Sequence, residues 1–403
     1  MAAVSHSDPI ASSDLAIDLR ARAAALGDLL RSNAARADAE RRIPDENIDA
    51  LTSAGLFKVL VPRWLGGYQA DFTTLIKVIS TLGQFCGSTA WVATLINGSG
   101  WAIGLWPDRA QHDVFDTNPD ARIAGVFAAS GTGKAVEGGL LISGRWLTAS
   151  GCLHAHWGGV GVLVVDSSGT PIDQGLALIP MDQLTIEDTW HVVGMRGTGS
   201  NTLVAEDVFV PSYRILSASQ AFAGNSASEH KDEELYRAPF VPVLALVLVA
   251  PLLGLAKGAL ELVKDSLAKG RTIAYTFYEK GVDSGSVQIS MAHAASLIDS
   301  AELHCFRAAA DIDDSCKTTD GMDFATRARV RMDAAVVHTR AREAMDLLLN
   351  VQGAGSFAQV SPLQQKWRDL ETGSRHAVLN AGIAAELYGR ALLNVEQQVT
   401  PLI

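Results

Sequence analysis

The spacing of hydrophobic residues changes twice along this chain, from helical to β and back to helical. This pattern excludes an all-α fold and an all-β fold. From Ser13 to about residue 115, apolar residues recur mostly at intervals of three and four, and long helical patterns return from about residue 238. Between about 120 and 215 lie 15 of the 36 glycines, with β-rich runs such as 159–165 and 201–205. The order helix, β, helix predicts a mainly α protein of the α+β class.

These changes divide the 403 residues into three expected regions. Residues 1–118 form an N-terminal helical domain, residues 119–216 a central β domain, and residues 217–403 a C-terminal helical domain. The short β-rich runs and turns of the central region favour a small antiparallel barrel or sandwich. A chain of this length exceeds the usual size of one compact core, which agrees with several subdomains.

Charge and cysteine usage exclude some classes of partner. The formal net charge is -11, and no basic run interrupts it, so nucleic acid is not expected as a partner. The four cysteines form no CxxC pair, and the first twenty residues lack a basic segment followed by an apolar core. We therefore expect a reduced, cytoplasmic protein without a secretion signal.

A stretch without charge from Ala238 to Ala256 could be mistaken for a membrane span. It contains Pro239, Pro242 and Pro251, which poorly suit one continuous spanning helix. We expect this segment to be buried inside a helical bundle, with no membrane contact.

No nucleotide-binding fingerprint is visible. The glycine clusters at 194–199 and 130–134 have neither the GxGxxG spacing nor a P-loop continuation. Any reducing equivalents from a nicotinamide are therefore expected to come through another protein.

Two polar segments have more than one interpretation. Cys152, His154 and His156 would share one strand face and could ligate zinc or copper, but no fourth ligand is evident, and a polar stripe facing a pocket explains the same spacing. We expect no metal. The ionisable groups between Lys366 and His376 are either a solvated helix face with ion pairs or the surroundings of an acid–base histidine.

Five segments together resemble one family, the oxygenase components of two-component flavin-dependent monooxygenases that share the acyl-CoA dehydrogenase fold. The segments are Cys86–Trp91, Trp146–Trp157, Gly194–Asn201, Glu206–Pro211 and Trp367–His376. The resemblance implies a C-terminal four-helix bundle and a homotetramer. It also implies hydroxylation of an aromatic or fused-ring small molecule by molecular oxygen through a flavin C4a-hydroperoxide. The cofactor would be reduced FMN, or alternatively FAD, supplied by a separate flavin reductase.

The resemblance also implies roles for individual residues. Ser150 would stabilise the flavin adduct by a hydrogen bond near flavin N5, and His376 would take a proton from the substrate. Arg271 would contact a flavin bound to a neighbouring subunit. The positions that match cofactor-binding residues are Leu95, Val126, Phe127, Ala128, Ala129, Ser130, Gly131, Trp146, Thr148, Ala149, Ser150, Arg271, Ala354 and Gly355, and those that match the substrate pocket are Trp91, Ser99, Phe127 and His376.

The chain departs from its relatives at two positions. Relatives often have aspartate where this chain has Cys86, and some have histidine near Ser99, where no ionisable group stands here. Substrate recognition is therefore expected to differ from that of the phenol hydroxylases.

Other functions remain open at this point. Acyl-CoA dehydrogenases share the fold, but many carry a glutamate base in the segment where this chain reads Ser374–Ala377 without a carboxylate. Asp369 and Glu371 lie too early in the segment to match that base. A member of the same family that oxidises nitrogen or sulfur, and a helical scaffold without activity, are the further alternatives.

Overall fold

The computed structural model describes residues 12–396 and 398–403. Part of the segment in which we expect no secretion signal, residues 1–11, lies outside the described residues. All four cysteines lie within them and are free and buried.

In the described chain from residue 12 onward, six α-helices precede the sheet, as the hydrophobic period predicts. They are α1 (Ser12–Ala25), α2 (Gly27–Glu40), α3 (Asp45–Ser53), α4 (Phe72–Gly83), α5 (Gly87–Ala102) and α6 (Asp108–Phe115). Asp71 caps α4, because its carboxylate accepts a hydrogen bond from the backbone N–H of Thr74. Helices α4 and α5 are buried along most of their length, so they form the centre of this region rather than its surface.

The central region is a single seven-stranded sheet. Its strands are β1 (Ile123–Val136), β2 (Gly139–Ala149), β3 (Trp157–Val165), β4 (Pro171–Pro180), β5 (Thr185–Glu187), β6 (Asn201–Pro211) and β7 (Ile215–Ser217), in the order β5-β6-β2-β1-β3-β4-β7. The expected antiparallel arrangement is wrong at one pairing, because β3 pairs in parallel with β1, on the side of β1 opposite to β2.

Helices return after the sheet. They are α7 (Ala218–Phe222), α8 (Phe240–Ala268), α9 (Gly285–Ser315), α10 (Phe324–Gln352), α11 (Pro362–Gly373) and α12 (Ala381–Leu392). Among the described residues of this region, α8, α9 and α10 are long, and α7, α11 and α12 are shorter.

Helix α8 is continuous through Pro251 and, as expected, is buried inside the helical core. By length and composition it is the one helix among the described residues that could cross a membrane, but 89% of its most apolar window is buried inside the protein. Its backbone touches α4: a Cβ at Gly254 would lie 2.5 Å from the carbonyl oxygen of Ser80. This close approach joins the N-terminal helices and the C-terminal helices in one core.

Candidate active site

Helix α5 packs against β1 of the sheet and against α8 and α11, and we call the space beside Leu95, between these elements, the recess. Every residue of α5 is buried except Leu95, which is partly exposed. One turn before it stands Trp91, and one turn after it stands Ser99, which is 5% exposed. A partly exposed leucine on an otherwise buried helix indicates that this side of α5 faces open space.

A chain of hydroxyl groups begins at Trp91. The indole Nε1 donates a hydrogen bond of 3.3 Å to Ser150 Oγ, in the turn after β2. Ser150 Oγ lies 2.6 Å from Ser200 Oγ, and Ser200 Oγ lies 2.6 Å from Thr198 Oγ1. Thr198 donates to the carbonyl oxygen of Met195. The sequence predicted a functional role for Ser150 but not for Thr198 and Ser200, although both lie in the segment 194–201 that resembles the family.

His376 follows α11 and faces Trp91, with 6.1 Å between the ring centroids. Its side chain is exposed, yet the surrounding protein poorly solvates an imidazolium and lowers the pKa of His376 below the usual 6.5. Nδ1 accepts a hydrogen bond from the backbone N–H of Val378. A neutral imidazole that accepts at Nδ1 carries its hydrogen on Nε2, so this geometry makes Nε2 a donor. Taking a proton at Nε2, as the sequence suggested, requires giving up the bond to Val378.

Strand β1 bulges where it passes the recess. The pairing with β3 moves from Val126–Val160 to Ala129–Gly161, which leaves Phe127 and Ala128 without partners in β3. Ala128, Ala129 and Ser130 are exposed, and the ring of Phe127 lies 5.5 Å from that of Phe240 on α8. The bulge therefore presents main-chain groups and an aromatic ring at the recess.

Two of the predicted cofactor residues point away from the recess. Trp146 is 0% exposed and donates to the carbonyl oxygen of Gly161, and Ala149 is also 0% exposed. The indole of Trp146 fills the core beneath β1, against Gly131, and contact of this side chain with a cofactor stays a prediction. Thr148 is exposed, with a positive φ of 63°, and shapes the turn that presents Ser150.

The pair Arg368–Asp369 holds the loop that carries Thr198 and Ser200. Arg368 donates to the carbonyl oxygen of Val193, and Asp369 Oδ1 accepts a 2.6 Å hydrogen bond from the backbone N–H of Met195. Arg368 also forms an ion pair with Asp38 on α2. These ion pairs and main-chain contacts account for the charge of this segment, so Arg368 and Asp369 have structural roles.

Asp369 makes the stability of the fold depend on pH. Burial raises the pKa of Asp369 from 3.8 to about 7, so the fold favours the protonated form. Its contribution to stability is complete below pH 3.8 and is lost as the pH rises through about 7. Asp369→Asn keeps an acceptor for Met195 but has no proton to lose. As the pH rises from 5 to 8, we expect its free energy of unfolding to increase by ~2 kcal/mol relative to that of the wild type. Thermal unfolding of both proteins across that range measures it, and parallel curves would contradict it.

Among the described residues, no carboxylate near His376 is free to act as a base. Glu371 is paired with Arg342 at 3.1 Å and with Arg375 at 2.5 Å, and Asp369 is buried against Met195. Abstraction of a proton from an acyl thioester needs such a base, so this end of the recess does not suit an acyl-CoA dehydrogenase.

The three residues considered for a metal do not share a strand face. Cys152–His154 is a 3-10 turn, and the thiol of Cys152 points to the carbonyl oxygen of Gly199. His154 faces Asp45, and His156 accepts from the backbone N–H of Arg122. Among the described residues, no group of three or more histidine, cysteine, aspartate or glutamate residues is arranged to hold a metal ion.

A second group of predicted cofactor residues lines a separate cavity of about 340 Å³ at the end of α10. Arg271 reaches into it and donates to the side chain and carbonyl oxygen of Gln352. Gly355 also lines it, and Ala354 is exposed beside it. The Nε2 group of Gln352 is buried without a hydrogen-bond partner. The sequence did not point to Gln352.

The two groups suit different parts of a flavin. The recess combines apolar walls with Ser150 and the main chain of the β1 bulge, as a ring system with polar edge atoms requires. The cavity offers the guanidinium of Arg271 and the unpartnered amide nitrogen of Gln352, and both donors suit phosphate or other hydrogen-bond acceptors. The residues present therefore fit a flavin.

Comparison with known proteins gives consistent results. Residues 17–115 match the profile of the acyl-CoA dehydrogenase N-terminal domain, and residues 246–381 match that of the C-terminal domain. The chain is 36% identical to the flavin-dependent monooxygenase oxygenase subunit HsaA of Rhodococcus jostii, over 89% of this chain and 94% of that protein. It is 31% identical to the oxygenase component of the FADH2-dependent resorcinol hydroxylase of a Rhizobium species, over 98% of both chains.

Solved structures agree with this. XiaF from a Streptomyces species, in complex with FADH2 and glycerol, superposes with a TM-score of 0.93 at 34% identity, over 97% of this chain and 98% of XiaF. The resemblance and the helix, β, helix fold predicted from the sequence are both confirmed. This chain belongs to the flavin-dependent monooxygenases of the acyl-CoA dehydrogenase fold, as an oxygenase component and hence an oxidoreductase.

Proposed function

We propose that this chain hydroxylates a small, neutral aromatic molecule that carries a hydroxyl group. The observation that supports this is the cluster of Trp91, Ser150 and His376, in which His376 Nε2 is a free donor. The substrate-pocket side chains Trp91, Ser99 and Phe127 carry no charge. A carboxylated substrate would leave its charge unpaired there, which favours a neutral phenol.

The residues of the recess have distinct tasks in this reaction. A bound reduced flavin would supply the activation of dioxygen. Leu95 and Phe127 give the recess apolar walls that exclude water from the reacting atoms. His376 Nε2 donates a hydrogen bond to the substrate oxygen and so stabilises the phenolate form, in which the ring carbon is nucleophilic. The phenol proton passes to solvent at the exposed side of His376. Ser150 would hold the nitrogen edge of a bound flavin.

We propose reduced FAD as the cofactor, although the sequence pointed first to FMN. The resorcinol hydroxylase relative is named FADH2-dependent, and XiaF was solved with FADH2. The cavity at Arg271 would hold a second part of a long cofactor whose ring lies in the recess of a neighbouring subunit. Anaerobic titration with reduced FMN and reduced FAD decides between them, and tighter binding of FMN would contradict the proposal.

We further propose a homotetramer in which Arg271 serves the flavin of a neighbouring subunit. Tyr275 and Phe277, close to Arg271 in the chain, are fully exposed, as aromatic side chains awaiting an interface would be. Arg271→Ala is expected to weaken reduced-FAD binding at least about tenfold, because a charge-assisted hydrogen bond is lost. Fluorescence titration under anaerobic conditions measures this. Arg340→Ala, which removes an exposed arginine paired with Glu343, is the matched control and should change nothing.

Mixing variants tests the shared site. Arg271→Ala and His376→Ala oligomers that are dissociated and reassembled together should regain activity, because some sites then receive both wild-type residues. Recovery no greater than in unmixed samples would place both residues in the site of one chain.

The source of the electrons is tested with the purified protein. With NADH and FAD alone we expect negligible product, and with a flavin reductase or chemically reduced FAD we expect turnover. Robust turnover with NADH in the absence of a reductase would contradict the two-component function.

A further inference from the structure

The hydroxyl groups of Thr198, Ser200 and Ser150 can be assigned directions, because each carries only one hydrogen. Thr198 Oγ1 lies 2.8 Å from the carbonyl oxygen of Met195, which can only accept, so the Thr198 hydrogen lies between them. The 2.6 Å contact between Thr198 and Ser200 must then use the hydrogen of Ser200. By the same reasoning, the 2.6 Å contact between Ser200 and Ser150 uses the hydrogen of Ser150.

Ser150 is therefore left with no hydrogen to donate into the recess. Its oxygen has two acceptor sites, and the Nε1–H of Trp91 occupies one of them. No other donor among the described residues occupies the second acceptor site. Ser150 can therefore accept a hydrogen bond from a ligand, but it cannot donate one without breaking its bond to Ser200.

We propose that Thr198 and Ser200 are positioning residues that orient the Ser150 hydroxyl as an acceptor, and that this orientation selects reduced over oxidised flavin. The inference rests on the proposed place of Ser150 at the nitrogen edge of the flavin. Reduced flavin carries a hydrogen on N5 and can donate to Ser150. Oxidised flavin has only a lone pair on N5, which the oriented oxygen of Ser150 repels. All three hydroxyl-bearing residues are at most 7% exposed, so water does not readily replace these partners.

The loop that carries the chain of hydroxyls is held from outside the recess. Asp369 Oδ1 binds the backbone N–H of Met195, the residue whose carbonyl oxygen ends the chain. Gly194 lies against the backbone of Arg368, where a Cβ has no room. The direction of the hydroxyls is therefore set by the main-chain carbonyl of Met195, a residue that Asp369 holds in place.

The test compares the dissociation constants of oxidised and reduced FAD, measured anaerobically by fluorescence or absorbance titration. Ser200→Ala and Thr198→Val free the Ser150 hydrogen to donate to oxidised N5. The ratio of the oxidised to the reduced dissociation constant is expected to fall about fivefold in each variant, mainly through tighter binding of oxidised FAD. A general loosening of the structure would instead weaken the binding of oxidised and reduced FAD to the same extent.

Thr202→Val is the matched control, because it removes a buried hydroxyl of the neighbouring strand that pairs with Thr189 rather than with Ser150. Its ratio should equal that of the wild type. If Ser150→Ala weakens the binding of reduced FAD but the ratio is unchanged in Ser200→Ala and Thr198→Val, the inference is overturned while the proposed place of Ser150 at the flavin stands. If Ser150→Ala binds both forms as the wild type does, the proposed place of Ser150 at the flavin fails as well.

Discussion

Replacing His376 by alanine is expected to slow product formation by roughly a hundredfold or more, with reduced-FAD binding unchanged. The physical reason is that Nε2 of His376 would face the substrate oxygen, whereas the flavin ring is held by other residues. Oxygen would still be consumed, but it would leave as hydrogen peroxide. Product and peroxide are quantified in the same reaction with chemically reduced FAD. Normal product formation in the variant would remove His376 from the mechanism.

A glutamine at position 376 separates two roles of the histidine. Its amide nitrogen can donate a hydrogen bond, as Nε2–H does, but it cannot take a proton. Because Val378 holds Nδ1 as an acceptor, we expect His376→Gln to be clearly faster than His376→Ala. If both variants are equally slow, the histidine acts as a base, and the bond to Val378 breaks during the reaction.

The second large effect is expected for Gly161→Ala. A Cβ at Gly161 would lie 2.5 Å from the carbonyl oxygen of Phe127 and 2.6 Å from that of Ala128, so the bulge of β1 must move. Since main-chain atoms cannot turn away as a side-chain tip can, we expect the shift to weaken reduced-FAD binding by more than about tenfold, or about 1.4 kcal/mol. Anaerobic titration measures the effect.

Gly175→Ala on β4 is the control for this substitution. There a Cβ would meet methyl groups of Ile215 and Val162 at 3.0 and 3.3 Å, with no backbone in the way. It should bind reduced FAD nearly as the wild type does, and its circular dichroism spectrum should match that of Gly161→Ala. Equal affinities of the two variants would mean that the bulge does not touch the flavin.

The layout of the molecule was predictable, because the change from helical to β spacing is a local property of the sequence. The side of β1 on which β3 pairs was not, since strand order depends on contacts between distant segments. The continuity of α8 through Pro251 was hidden for a similar reason: burial against α4 and α5 compensates for a local helix breaker.

The candidate site was predictable in part. Ser150 and His376 stand in segments that resemble the family, but the meaning of each depends on a partner from elsewhere in the fold. The acceptor role of Ser150 follows from Ser200, which is 50 residues away, and the donor role of Nε2 follows from the main chain of Val378. Trp146 also lies in a segment that resembles the family, but its indole donates a hydrogen bond to the carbonyl oxygen of Gly161 inside the β domain.

The most direct test of the account is the origin of the oxygen in the product. Chemically reduced FAD bound to the protein is mixed with ¹⁸O₂ and a panel of neutral phenols that includes resorcinol, and the products are analysed by mass spectrometry. We predict one ¹⁸O atom in each hydroxylated product, and no reduction of oxidised flavin by acyl-CoA thioesters. A product whose new oxygen comes from water, or reduction of the bound flavin by an acyl-CoA thioester, would contradict the assignment of this chain as a monooxygenase.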